Sequence, residues 1–263
     1  MKHLDRTHIL TRMIEAKQKR LEVSRTRVPE AIVKRMAATA KAAPSFREAL
    51  EKPGRVRIIA EVKKASPSKG VLRTDMNVEE ISATYAQAGA SAISVVTEED
   101  FFQGDLGWIT TIRQGSHLPV LRKDFVFDPF QVYETRASGA SAVLFIVAML
   151  EARELKEFIT LARELKLDAL VEVHDEAELG EALEAGASIV GVNNRDLKTF
   201  NVALETSLRL AKLIPDDRLF VVESGIHSKD DINRLIEAGA DAFLIGEHFL
   251  TSPDPGAAIR GLL

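Results

Sequence analysis

The sequence predicts an α/β protein built as one (β/α)8 TIM barrel, residues 1–263, in which residues 1–50 form an N-terminal helical extension. The length of 263 residues is typical of a single barrel of this kind. A motif of a small residue, Gly and Ala followed by an apolar run occurs four times. Its glycines are 50, 47 and 53 residues apart, about the length of two βα units. They are Gly89, Gly139, Gly186 and Gly239.

Eight short runs rich in Val, Ile and Leu predict buried parallel strands, because polarity does not alternate along them. Four runs are 55–63, 118–124, 167–175 and 218–225, and four follow the motifs that begin at Gln87, Ala137, Glu184 and Glu237. Helical patterns follow at 78–88, 105–115, 129–138, 151–166, 175–185, 202–213, 228–238 and 254–262. An open doubly wound sheet is the alternative, but no GxGxxG turn follows the first strand and eight near-even units favour closure.

The segment before the first strand has its own helical periodicity. Apolar residues recur at helical spacing over residues 8–23, and a second helix is predicted from Pro29 to about Lys41. Such an extension fits either a cap on the bottom of the barrel or a wall of a site at its top. The sequence pattern leaves both positions open.

Composition excludes several classes of site and partner. The chain has no cysteine, which rules out disulfides, thiolate nucleophiles and Cys-ligated metals. The net charge of −4 argues against a nucleic-acid partner. Residues 1–41 are basic, with 11 Lys and Arg against 4 Asp and Glu, but they lack the interleaved aromatic residues of a single-strand-binding arm. We therefore interpret them as helices that pack against an acidic body.

No membrane partner is expected either. No apolar run reaches the roughly 18 residues that a membrane span needs. The first ten residues, MKHLDRTHIL, lack an apolar stretch of signal-peptide length. The sequence therefore predicts a cytoplasmic protein.

Charged and polar residues stand at the carboxyl ends of the predicted strands, where chemistry takes place in this fold. A charged side chain inside an apolar strand is costly unless it is paired, so each one alone fits a structural ion pair as well as a site. Two lysines and two glutamates at one end of the barrel favour a site. The strand-end residues are Glu61 and Lys63, Lys123, Glu172 and His174, Asn193 and Arg195, Glu223 and Ser224, and Gly246 and Glu247.

The loops after the last two strands predict a phosphorylated small-molecule substrate. Gly225 and Gly246 fit tight turns, but loops at these positions commonly bind phosphate through backbone N–H groups. The loop KASPSKG, residues 64–70, carries positive charge and fits a substrate lid. The six histidines form no HxxxH or HExxH pair, so no metal site is predicted, and His174 beside Asp175 fits a helix start better than a general base.

Six blocks of this sequence resemble, in order, those of the indole-3-glycerol phosphate synthase family of tryptophan biosynthesis. They are IAEVKKASPSKG, VLRKDF, LVEVH, GVNNRDL, VVESGI and FLIGEHFL. Other phosphate-binding barrels share the glycines but not the EVKxxSPSKG loop combined with RKDF. The resemblance covers essentially the whole chain, including the helical extension.

The resemblance implies a ring closure without metal or cofactor. It would convert 1-(2-carboxyphenylamino)-1-deoxyribulose 5-phosphate into indole-3-glycerol phosphate, CO2 and water. Lys123 matches the family's general acid and Glu172 its general base, while Glu61 and Lys63 complete the catalytic set. We expect the pKa of Lys123 to be lowered, as it is for a lysine between other cations.

The resemblance also assigns the binding residues. Ser66, Asn193 and Arg195 would contact the carboxylate and sugar side, and Phe102 and Phe125 would hold the aromatic ring. The phosphate would lie against Ser224, Gly225, Gly246 and Glu247. Two positions depart from the commonest pattern. Glu247 stands where many relatives have serine, so its carboxylate is expected to turn away, and Asp105 follows Gly104 where serine is usual.

Three other functions are alternatives for the same residues. A Schiff-base lyase or aldolase would use Lys123 as its nucleophile. A sugar-phosphate isomerase would need an enediol acid/base pair, for which no cysteine and no suitably placed lone aspartate exist. A non-catalytic barrel that binds a phosphorylated ligand fits poorly with the intact set of two lysines and two glutamates. The oligomeric state is left open between monomer and homodimer.

Overall fold

A computed structural model describes residue 2 and residues 9–51 and 54–263. Eight parallel strands hydrogen-bond to their neighbours around a closed barrel, the first strand pairing with the second and the eighth. The predicted fold class is therefore confirmed. The strands are β1 Ile58–Val62, β2 Ala92–Val96, β3 Val120–Lys123, β4 Ala142–Ile146, β5 Asp168–Val173, β6 Ile189–Asn193, β7 Leu219–Glu223 and β8 Ala242–Ile245.

Helices surround the barrel and connect its strands. Those that precede β1 are α1 Ile9–Arg27, α2 Glu30–Thr39 and α3 Phe46–Glu51. The others are α4 Val78–Ala88, α5 Gly107–Gly115, α6 Pro129–Ala137, α7 Ala152–Glu164, α8 Glu176–Glu184, α9 Glu205–Leu210, α10 Lys229–Glu237, α11 Glu247–Leu250 and α12 Pro255–Leu262. In the part of the chain that the structure describes, no helix is long and apolar enough to cross a membrane.

The predicted helices are present, with three differences. The helix expected over 202–213 is shorter, because α9 spans Glu205–Leu210 and continues as a 3-10 turn to Leu213. The first helix runs on to Arg27 instead of ending at residue 23, and its expected first residue, 8, lies outside the described residues. Helices α3 and α11 were not predicted, since six and four residues are too few to show a helical period.

The four motif glycines end helices and send the chain into a strand. All four have a positive φ, between 88° and 104°. Glycine adopts this left-handed conformation without the steric cost that other residues meet. The repeat in the sequence is thus a helix stop followed by the start of a buried strand, as the pattern predicts.

The helical extension contacts both ends of the barrel. Lys17 of α1 lies 2.7 Å from Asp124 and 2.8 Å from Glu99, which both follow strand ends at the top. At the bottom, the backbone N–H of Arg47 in α3 donates to Asp168, the first residue of β5, at 2.9 Å. Each of the two positions that the sequence left open is therefore occupied by a different helix.

Candidate active site

A cavity of about 340 Å³ opens at the carboxyl ends of the strands. It is within the size range of small-molecule sites. Leu10 and Met13 of α1 supply part of its apolar wall. All the predicted site residues line it: Glu61, Lys63, Ser66, Phe102, Lys123, Phe125, Glu172, Asn193, Arg195, Ser224, Gly225, Gly246 and Glu247.

Lys123, the last residue of β3, lies between two buried carboxylates. Its Nζ is 2.9 Å from Glu172 Oε2 and 2.6 Å from Glu223 Oε2. Strands β3, β5 and β7 place these three side chains, because alternate strands of a barrel contribute side chains to the same interior layer. The lysine therefore has an acceptor for its protons on two sides.

The carboxylates control the protonation state of Lys123. Burial alone would lower the pKa of the amine, but the charges of Glu172 and Glu223 outweigh burial and raise it. The expectation of a lowered pKa is therefore wrong, because the neighbours of Lys123 are carboxylates and not cations. Burial likewise acts to raise the pKa of Glu172, and the charge of Lys123 outweighs it and lowers that pKa. Lys123 and Glu172 are both ionised at neutral pH.

Glu223 behaves differently from Glu172 although both contact the same lysine. Burial is the largest effect on its carboxyl group and, despite the charge of Lys123, raises its pKa to about 7. Its second oxygen, Oε1, has no hydrogen-bond partner among the described residues. Gly191 on β6 makes room for it, because a Cβ there would collide with that oxygen. Glu223 is thus a buried acid that exchanges its proton near neutral pH.

Glu61 and Lys63 form a second ion pair at the end of β1. Lys63 Nζ lies 2.6 Å from Glu61 Oε1, and the carboxylate side chain is 4% exposed. Gly246 packs directly against the Glu61 side chain, since any Cβ at Gly246 would overlap it. Glu61 also adds to the negative charge that acts on Lys123. The two ion pairs thus belong to one charged cluster at the base of the cavity.

The aromatic end of the cavity is built on two loops. The rings of Phe102 and Phe125 have centroids 6.4 Å apart and are inclined by 54°, so they form an angled apolar surface. Buried Glu98 fixes the Phe102 loop by accepting hydrogen bonds from the backbone N–H groups of Phe101 and Phe102, at 2.8 and 3.0 Å. The aromatic surface is therefore held in place by a carboxylate.

The charged loop after β1 folds over the cavity. Residues Ala65–Ser66 pair with Gly70–Val71 as a short antiparallel hairpin, which the sequence pattern did not predict. The hydroxyl of Ser66 is buried and has no hydrogen-bond partner in the described part of the chain. Lys69 at the hairpin turn lies 2.6 Å from Glu247. The loop therefore borders the cavity, and Ser66, whose hydroxyl has no partner in the described residues, is among the residues that line it.

Glu247 does not turn away from the cavity as expected. Its carboxylate lines the rim, where it contacts Lys69 and lies 3.7 Å from Arg195 Nη2. Arg195 is held by its backbone N–H, which donates to Asn193 at 3.0 Å, and by a bond from its side chain to the Phe200 carbonyl. A carboxylate from the predicted phosphate end thus lies between Lys69 of the loop after β1 and Arg195 of the predicted carboxylate and sugar side.

The turn after β7 has strained backbone. Ser224 has a φ of 67° although it is not glycine, and Gly225 follows with a φ of 82°. Asn194 supports this turn, since its Nδ2 donates to the Ser224 carbonyl while its Oδ1 accepts from Ser207. Strained turns of this kind are typical of binding sites.

Asp105 is the second position that departs from the commonest family pattern. It lies outside the cavity lining. Its carboxylate accepts a hydrogen bond from the Gly107 N–H at 2.6 Å, at the start of α5.

Sequence reasoning gave no role to Glu223 or Glu98. Glu223 stands at the end of a predicted strand, so its position was visible, but its pairing with Lys123 depends on which strands share an interior layer. Glu98 follows β2 in a loop, and only the hydrogen bonds to the next residues reveal what it does.

Comparisons with known proteins find one family over nearly the whole chain. A model of the indole-3-glycerol phosphate synthase family matches residues 10–262. The indole-3-glycerol phosphate synthase of Albidiferax ferrireducens is 44% identical over 259 residues, 97% of this chain and 98% of that protein. The one from Carboxydothermus hydrogenoformans is 43% identical over 261 residues, 97% and 99% of the two chains.

A more distant match shows the fold alone. The 3-hexulose-6-phosphate synthase structure from Salmonella typhimurium has a TM-score of 0.65 at 16% identity and covers 79% of this chain and 96% of that chain. The family assignment rests on the closer relatives and the family model, which span nearly the whole sequence. The chain therefore belongs to the indole-3-glycerol phosphate synthase family.

Proposed function

We propose that the protein is an indole-3-glycerol phosphate synthase, a carboxy-lyase that closes the indole ring of 1-(2-carboxyphenylamino)-1-deoxyribulose 5-phosphate. The observation that carries the proposal is the ion-paired Lys123 at the base of a cavity whose walls are aromatic at one side and cationic at the rim. This arrangement fits a substrate with an aromatic ring, a ketone and two anionic groups.

Lys123 acts as the general acid for ring closure. The ring carbon that bears the carboxylate attacks the ketone carbon, and the carbonyl oxygen takes a proton from the ammonium group. Because its carboxylate neighbours keep the lysine protonated, the proton is present when the bond forms. The same carboxylates stabilise the positive charge of the aromatic amine as electrons leave the ring. Loss of CO2 then returns a pair of electrons to the ring.

Glu172 acts as the general base in the dehydration that follows. It accepts the proton from the carbon next to the alcohol, while the leaving hydroxyl receives a proton and departs as water. Lys63 is suited to donate that proton or to hold an anion, and Glu61 orients it at 2.6 Å. Two acid–base pairs on separate strands allow two successive proton transfers without metal or cofactor.

Binding divides the substrate among three parts of the cavity. Phe102 and Phe125 hold the aromatic ring. Ser66, Asn193 and Arg195 hold the carboxylate and sugar side, where the planar guanidinium offers two parallel donors. The turns at Ser224, Gly225, Gly246 and Glu247 supply backbone N–H groups to the phosphate.

The experiment is a fluorescence assay for indole-3-glycerol phosphate with EDTA present and no cofactor added. We expect turnover by the purified protein and none by Lys123→Ala. Lys156→Ala, which changes an exposed lysine on α7, is the matched control and should turn over normally. Full activity of a folded Lys123→Ala protein would remove the lysine from the mechanism.

Borohydride trapping separates this function from a Schiff-base lyase. A Schiff-base lysine must be a neutral amine when it attacks a carbonyl, whereas two carboxylates hold Lys123 protonated. We therefore expect no covalent reduction of substrate onto Lys123, measured by mass spectrometry after digestion. A labelled Lys123 peptide would overturn the acid–base role.

A further inference from the structure

His174, the residue after β5, places its ring between two carboxylates. Its Nδ1 lies 2.9 Å from Glu178 Oε2 and its Nε2 lies 3.4 Å from Glu172 Oε1. The backbone N–H of His174 donates to the same Glu178 carboxylate at 2.8 Å. The side chain is 14% exposed, so the ring depends on these two groups for polar contacts.

The ring is positively charged at neutral pH. Burial acts to lower its pKa, but the neighbouring carboxylates of Glu172 and Glu178 outweigh burial and raise the pKa to about 10. The charged groups that act on the ring are Glu172 from its own strand and Glu178 from α8. Both ring nitrogens of an imidazolium are donors, so one ring can bridge the two carboxylates.

Helix α8 anchors this bridge. Asp175 begins the helix by accepting from the Glu178 backbone N–H at 2.9 Å, which fixes the first turn. Glu178 in that turn then holds the ring of His174. The ring therefore links a helix start to Glu172, through a hydrogen bond to Glu178 and an ion pair at 3.4 Å in which Nε2 has no hydrogen-bond partner among the described residues.

We propose that His174 is a positioning residue for Glu172, holding Oε1 of that carboxylate so that Oε2 stays beside Lys123. The inference rests on the proposed role of Glu172 as general base. When Lys123 gives up its proton, Glu172 loses its nearest positive charge in a site where burial favours the neutral acid. His174 supplies a positive charge that remains, so Glu172 is still ionised when dehydration needs a base.

The first test is His174→Asn, which keeps a donor for Glu178 but is too short to reach Glu172. We expect kcat to fall by about 10- to 100-fold, as for other residues that orient a functional group, and KM to change by less than about twofold. His117→Asn, at an exposed position before β3, is the matched control and should retain normal kinetics.

The same substitution in a Glu172→Gln background separates positioning from a general structural role. A residue that acts through Glu172 has no further effect on kcat once that carboxylate is gone. An equal loss in both backgrounds would overturn the inference. If kcat falls as expected in Glu172→Gln but is unchanged in His174→Asn, the inference about His174 is refuted and the role of Glu172 stands. If Glu172→Gln keeps full kcat, the role of Glu172 as general base is refuted.

Nitrogen NMR of histidine-labelled protein provides a readout without turnover, also if His174→Asn fails to fold. In the unmodified protein the His174 ring should remain an imidazolium at pH 8. In Glu172→Gln its titration midpoint should fall by about one pH unit or more, because one of its two anionic partners is neutral. A ring that is neutral at pH 7, or a midpoint that Glu172→Gln leaves unmoved, would overturn the inference.

Discussion

Among single residues, Glu172 carries the sharpest kinetic prediction. Glu172→Gln keeps the shape of the side chain and an acceptor for Lys123, but the amide cannot take a proton. We expect kcat to fall by roughly 10²–10⁴ while KM changes little, because a general base contributes about that factor. Steady-state kinetics with fluorescence detection measure both constants. Glu164→Gln at the exposed end of α7 is the control, and a loss confined to KM would contradict the assignment.

Replacing Glu247 tests how a carboxylate beside the predicted phosphate end affects substrate binding. Its carboxylate forms ion pairs with Lys69 and Arg195, two cations that could otherwise attract an anionic substrate. We expect Glu247→Ser to lower KM by about two- to fivefold with kcat nearly unchanged, since partly exposed charge pairs contribute up to about 1 kcal/mol. The effect should shrink at high salt, which screens exposed charges. A raised KM would show that the carboxylate instead holds the lid over the substrate.

Residues could be assigned to this cavity from the sequence, but their charge states could not. A position at the end of a predicted strand is a local property, and it was enough to bring Lys123 and Glu172 into the same cavity. A pKa depends on which groups lie around the residue in space. Glu172 and Glu223 come from strands distant in sequence and lie 2.9 and 2.6 Å from Lys123, so the direction of its pKa shift could not be predicted without these contacts.

At the scale of elements, the contact between α1 and the barrel couples stability to substrate binding. Lys17 is 5% exposed and neutralises Asp124, which also pairs with Arg122 at 2.9 Å. We expect Lys17→Met to lower the free energy of unfolding by about 3 kcal/mol, the low end for breaking a buried pair because Arg122 remains. KM should also rise, since α1 carries Leu10 and Met13 to the cavity.

Urea unfolding and steady-state kinetics measure the two effects of Lys17→Met. Lys19→Met alters an exposed lysine two residues away on the same helix and should leave both quantities unchanged. A destabilised protein with normal KM would show that α1 stabilises the barrel without shaping the site.

The barrel units could be predicted because their signals are local, whereas the docking of the extension could not. A glycine with positive φ that ends a helix and a run of buried Val and Ile are each visible within ten residues of sequence. Lys17 has the sequence appearance of a surface lysine on an amphipathic helix. Its burial follows from Asp124 and Glu99, which lie more than 80 residues away in the chain. The top of the barrel thus depends on long-range contacts.

For the whole molecule, the charged site makes stability depend on pH in two opposite directions. The pKa of Asp124 is lowered to about 2 because Lys17 and Arg122 outweigh its burial, so its contribution is present above an unfolded pKa of about 4 and is lost as pH falls. His174 contributes fully below about pH 6.5 and loses that contribution as pH rises towards 10. Glu223, raised by burial to about 7, stabilises most when protonated. Maximum stability is therefore expected at about pH 4.5 to 5, above the range in which Asp124 loses its charge and below the range in which Glu223 ionises.

Glu223 should contribute a distinct part of the loss of stability between pH 5 and pH 8. Its folded pKa of about 7 lies above the unfolded value of about 4.3, so the folded state binds more protons and unfolding becomes easier as pH rises. We expect Glu223 to account for a fall in the free energy of unfolding on the order of 1–3 kcal/mol over this range, and Glu223→Gln to remove that part of the fall. Urea unfolding at both pH values measures it, with Glu205→Gln at an exposed position as the control. Parallel pH curves for the two variants would mean that Glu223 ionises at its ordinary pKa and that the burial beside Lys123 has no energetic consequence.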